Sequence, residues 1–152
     1  MTSTLNNSKL TVRIIEDISI NNRDRGNTTT YEIGGINELS ERIMTVPTNT
    51  VTILSASDKV GAGTFLSSSL KYIRLTNLDD TNFVRLSFIS GSSGLANTAD
   101  LKLDSGKTMI FTNTSFSGSH DKRSFDSFSG FTALKGTADT ASVDLEIFIA
   151  ST

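Results

Sequence analysis

His120 is the one side chain in this 152-residue sequence whose ordinary pKa lies near neutrality, and it stands beside Asp121 in the run SGSHDKRS. A histidine flanked by a carboxylate and serines holds the parts of a nucleophilic triad. More than a quarter of the chain is Ser or Thr, however, so that adjacency carries no information and His120 reads as a solvated loop residue. The run SGKT at Ser105–Thr108 has the end of a phosphate-binding loop, but the required earlier glycine would fall at Leu101, and the flanks read as strands rather than as a helix start. A turn is expected there. GAGTFL, from Gly61, has two of three dinucleotide-binding glycines and Leu66 where the third belongs, so it reads as a loop. NLDDTN, from Asn77 to Asn82, could offer Asp79, Asp80 and Asn82 to calcium. It lacks the glycine and the final glutamate of an EF-hand loop, so turn capping is expected instead. The acidic pairs Glu16 with Asp17 and Glu38 with Glu41 carry no mark of the raised pKa that glycosidase chemistry needs. These readings predict no catalytic residues, no metal site and no cofactor, and therefore no enzyme.

Composition excludes further classes. With 14 basic and 16 acidic residues the net charge is -2, and no basic run exceeds two residues, so neither nucleic acid nor an anionic membrane is an expected partner. The opening MTSTLNNSKL has neither a basic nor an apolar signal region, so no secretion or anchoring is expected. Cysteine is absent, which removes disulfides, thiolate metal sites and thiol catalysis. Sugar binding by stacking usually draws on Trp or Tyr; the chain has no Trp and two Tyr, so a carbohydrate-binding module is the weaker alternative of another class.

The pattern of apolar residues along the chain is period two almost throughout. In KYIRLTNLDDTNFVRLSFIS, Lys71–Ser90, Ile73 and Leu75 share one face, opposite Tyr72, Arg74 and Thr76; Val84, Leu86 and Phe88 alternate with Phe83, Arg85 and Ser87. This reads as an antiparallel hairpin whose outward face carries Tyr72, Arg74, Phe83 and Arg85. Leu10, Val12, Ile14, Ile18 and Ile20 alternate near the start, with Glu16 at a bulge or edge; Val51 with Ile53, Leu101 with Leu103, and Met109 with Phe111 mark further strands, and Val143, Leu145, Ile147 and Ile149 the last. Leu39–Val46 fits a strand running into Pro47, although Ile36, Leu39 and Ile43 also have helical spacing. The prediction is an all-β fold: one antiparallel β-sandwich of about eight strands over 1–152, jelly-roll-like, with Val12, Ile14, Ile73, Leu75, Val84, Leu86, Phe88, Leu145 and Ile147 inward. An irregular Ser/Gly/Phe-rich excursion is expected at 113–141. Its Phe116, Phe125, Phe128 and Phe131 either cover an open end of the core or wait for a partner.

LTVRIIEDISINN, RIMTVPTNTVTIL leading to GAGTF, and KYIRLTNLDDTNFVRLSF followed by TADTASVDLEIFIA together resemble small β-rich virion structural proteins of tailed bacteriophages, especially phages of marine cyanobacteria. The resemblance implies a virion protein made in the host cytoplasm. Its role would be a capsid decoration or cement subunit that docks on the major capsid protein or other virion subunits, or alternatively a tail, neck or fibre-associated subunit. A homo-oligomer is expected, with Tyr72, Arg74, Phe83, Arg85, Phe125, Phe128 and Phe131 as the candidate assembly surface, because aromatic and Arg side chains favour interface centres.

Overall fold

The alternating pattern is realised as strand along the residues described by the computed structural model: 8–56, 64–90, 97–112 and 131–152. No α-helix occurs among them, and the strands pair antiparallel in four sheets. The described residues form 12 strands rather than the expected eight, because two small ribbons accompany two four-stranded sheets. The chain divides into two compact units, Met1–Asn37 with Thr152, and Glu38–Ser151.

In the first unit, β1 (Ser8–Glu16) pairs with β4 (Asn27–Ile36), while β2 (Ser19–Ile20) and β3 (Arg23–Asp24) close a small hairpin. Asn21 and Asn22 turn it at φ 52° and 61°, the positive pair that a two-residue hairpin turn requires and that asparagine tolerates. The register sets Leu10 opposite Ile33, Val12 opposite Tyr31 and Ile14 opposite Thr29, so one face of the ribbon is apolar. Lys9, Arg13 and Glu32 take the other, where Lys9 pairs with Glu32 at 2.7 Å. The expectation that Val12 and Ile14 lie in the main core is corrected here. Both belong to this ribbon, outside the core cluster, and Ile14 is exposed.

The second unit begins with β5 (Glu38–Val46), so the strand reading of that segment is the one realised. It continues with β6 (Val51–Ser55), β7 (Leu70–Asn77), β8 (Val84–Ser90), β9 (Asn97–Leu103), β10 (Thr108–Thr112), β11 (Phe131–Ala138) and β12 (Val143–Ser151). One sheet has the order β10-β7-β12-β5 and the other β6-β11-β8-β9. The predicted hairpin of Lys71–Ser90 is therefore not a hairpin. β7 bonds to β10 and β12, β8 bonds to β11 and β9, and the chain between them crosses from one sheet to the other. The turn at Asp104–Lys107 likewise joins strands of different sheets, with Gly106 at φ +65°. Within the segment 113–141 that was expected to be irregular, Phe131–Ala138 is an interior strand bonded on both sides, and 113–130 lie outside the described residues.

Both sheets contribute to one apolar core. Val46, Ile73, Leu75, Leu145, Ile147 and Ile149 enter it from the first sheet, and Ile53, Leu54, Val84, Leu86, Phe88, Leu103 and Leu134 from the second. Full burial of a Leu or Ile side chain contributes about 1.5–3 kcal/mol, so these residues dominate the stability of the unit. Gly136 lies where Ile53 and Val46 fill the space a Cβ would take, 2.6 Å from Ile53 Cδ1 and 3.2 Å from Val46 Cγ1. At the margin where β5 and β6 lie, the Arg42 guanidinium donates to the Ile53 carbonyl and ties one sheet to the other.

Candidate association surface

Asn77 ends β7 fully buried, and its side chain organises the sheet-crossing corner. Its Nδ2 donates to the carbonyls of Asn82 (2.9 Å) and Leu103 (3.2 Å), while its Oδ1 accepts from the Asp79 backbone N–H (2.9 Å). Asp79 Oδ1 in turn accepts from the backbone N–H groups of Thr81 (2.8 Å) and Asn82 (2.5 Å) and from Asn82 Nδ2 (3.3 Å). The backbone donors, Asn82 and then Thr81, hold the Asp79 carboxyl below its ordinary pKa. The carboxylate is thus engaged as a turn cap, as expected, and no group of three or more potential metal ligands occurs among the described residues.

The first sheet's outer face carries two residues of the predicted assembly surface. Arg74 and Phe148 are direct cross-strand neighbours, with the guanidinium 5.6 Å from the ring centroid, and Arg74 also pairs with Glu146 at 3.0 Å. Tyr72 meets Phe148 edge to face at 5.8 Å. Tyr72 is itself buried, only 4% exposed, so its ring belongs to the folded chain and is not displayed.

Phe83 and Arg85 lie with the second sheet, so the four residues read as one outward face occupy two. Lys102 reaches over the Phe83 ring at 4.6 Å and pairs with Asp104 at 2.7 Å. Phe83, Arg85, Thr48, Thr137, Ala138 and Asp139 line an open recess of about 280 Å³. A cation over an aromatic face and exposed ion pairs add about 1 kcal/mol or less each. Such a surface is locally satisfied. Phe125 and Phe128, like Phe116 and His120, lie outside the described residues; Phe131 opens β11, where its backbone pairs with Ser90.

An open apolar surface that sequence reasoning did not select lies along β5. β5 is an edge strand of nine residues, paired with β12 without a register shift, and its other side has no neighbour among the described residues. Its outward positions are Leu39, Glu41, Ile43 and Thr45; Leu39 is 58% exposed and Ile43 64%. Beside them the corner contributes Leu78, 49% exposed, and an open recess of about 500 Å³ is lined by Ile43, Thr45, Leu78, Asp79, Ser142 and Asp144. The signal was present. Leu39 and Ile43 share odd parity while Met44 and Val46 share even parity, so both faces of this strand are apolar, and the i, i+4 spacing that imitates a helix is the outward pair. No protein-family model matches the chain, and no curated protein or solved structure is significantly similar to it.

Proposed function

We propose that this chain is a structural protein of a tailed-bacteriophage virion, a decoration or cement subunit that stabilises the head by non-catalytic association. Its two four-stranded sheets are read as one sandwich of jelly-roll connection. The strand orders β10-β7-β12-β5 and β6-β11-β8-β9 support that reading, because the chain changes sheet at every connection from β5 to β12 except β8 to β9. Eight-stranded jelly rolls recur in viral capsid domains, and also in lectins, so fold alone does not choose the role. The choice rests on the resemblance of the strand and turn phrases to phage virion proteins. The observation that carries association is the edge of β5, unpaired among the described residues, with Leu39, Ile43 and Leu78 beside it, since a long apolar edge is a template for pairing with another chain. In a lattice, many weak contacts of this kind add to a firm attachment. The test is mass spectrometry of purified virions followed by location of the chain in an electron density map. Density on the capsid shell is the expected result; density confined to the tail or neck would move the role there, and absence from particles would overturn it.

A further inference from the structure

We infer that β5 pairs antiparallel with β5 of a second copy about a twofold axis at Ile43, joining two four-stranded sheets into one of eight strands. Each remaining edge strand of the two four-stranded sheets has a feature that discourages pairing. β6 and β10 have five residues each, β6 is joined to β11 across a register shift, and β9 presents Asp100 and Lys102. β5 has nine residues and no proline, lysine or bulge, and it leaves its two large outward apolar side chains in water. That is the edge natural sheets avoid leaving open.

The charges on β5 exclude two registers, and the exposed Ile43 chooses among the others. A twofold axis keeps outward side chains beside outward side chains, so the axis must pass through a single residue of β5. At Glu41 it would oppose two carboxylates, and at Arg42 two guanidinium groups; like charges directly opposite are destabilising. At Ile43 it places Ile43 against Ile43, Glu41 against Thr45 and, on the inner side, Arg42 against Met44. No like charges meet, and the most exposed apolar side chain of β5 is covered by its own copy. Arg42 is already turned away toward the Ile53 carbonyl. This pairing rests on the reading of the chain as an association protein and names its nearest partner.

The chain has no native cysteine, so a single introduced one can cross-link only between copies. In this register the two Ile43 Cα atoms lie about 4.5–5.5 Å apart, within disulfide reach, whereas each Glu41 lies about 14 Å from its equivalent. Under a mild oxidant, purified Ile43→Cys is expected to form covalent dimer at least about tenfold faster than Glu41→Cys, because disulfide geometry tolerates only the first separation. A mixture of Glu41→Cys and Thr45→Cys is expected to yield the heterodimer. Sedimentation of the unmodified chain should give a dimer, and Ile43→Lys a monomer that still melts cooperatively, since that side chain is exposed within the single chain. A monomeric unmodified chain, or Glu41→Cys cross-linking as fast as Ile43→Cys, would overturn the pairing. These readouts use purified protein alone. A dimer missing from virions would refute the phage role and leave the pairing intact, and a virion-borne monomer would do the reverse.

Discussion

At the scale of single residues, Asn77 and Asp79 show how polar side chains turn a strand end into a defined corner. The buried amide of Asn77 uses both its donor and its acceptor atoms, on two groups of the turn that follows it and one of β9. Asn77→Ala removes those bonds and leaves two carbonyls and one N–H without their partner, each desertion costing about 1–3 kcal/mol. Urea unfolding should therefore show a loss of about 2 kcal/mol or more, and a near-neutral result would disprove the corner's role. Asp79 makes a different contribution, one that depends on pH. Its folded pKa lies below its unfolded value near about 3.9, so the stabilisation is complete above that value and disappears as pH falls through the folded pKa. In Asp79→Asn the acid end of the stability profile, below about pH 4, should be flatter than in the parent chain, and equal slopes would exclude the carboxylate as its source.

At the scale of elements, burial separates strands that look alike on paper. Ile147 on β12 and Leu86 on β8 are fully buried, whereas Ile14 on β1 is 38% exposed. Truncation to Ala should cost about 2–5 kcal/mol at each of the first two and well under that at Ile14, measured by denaturant midpoints at constant slope. β11 offers the opposite test. Gly136→Ala would ordinarily favour a strand, but the added methyl would meet Ile53 and Val46, both of which are buried in the core. Overpacking of about 1–3 kcal/mol should outweigh the gain in backbone rigidity, and a stabilised variant would show that Ile53 has room to turn.

At the scale of the whole molecule, every member of the core cluster falls between Val46 and Ile149, and the ribbon of β1 and β4 contributes none. A chain shortened to residues 38–152 should accordingly still unfold cooperatively, with coincident transitions by near- and far-ultraviolet circular dichroism. A peptide of residues 1–37 should show little β structure in water, because a two-stranded ribbon alone is at best marginally stable. Gradual, non-cooperative melting of the shortened chain would mean that the core depends on the first unit.

What the sequence determined by itself is the strand character of the chain and, within most strands, which residues turn inward. Ile73, Leu75, Val84, Leu86, Phe88, Leu145 and Ile147 are buried as their alternation requires. Parity along a strand is local, and one face must be apolar wherever a sheet covers a core. The turn at Asn77–Asn82 was legible for a similar reason, since Asn and Asp cap their own backbone. Which strands become neighbours was decided only by tertiary structure. The same turn residues can fold a strand back on its predecessor or carry it across to another sheet, and alternation does not distinguish the two. For that reason Tyr72 and Phe83, apparent partners in the sequence, lie with different sheets, and Val12 and Ile14 alternate as well as any core strand yet sit in a separate ribbon. The open edge at β5 was hidden by the same limit. Whether a strand has one neighbour or two depends on where every other strand goes, and only the pairings of all the described strands together leave Leu39 and Ile43 at a margin with no neighbour among the described residues.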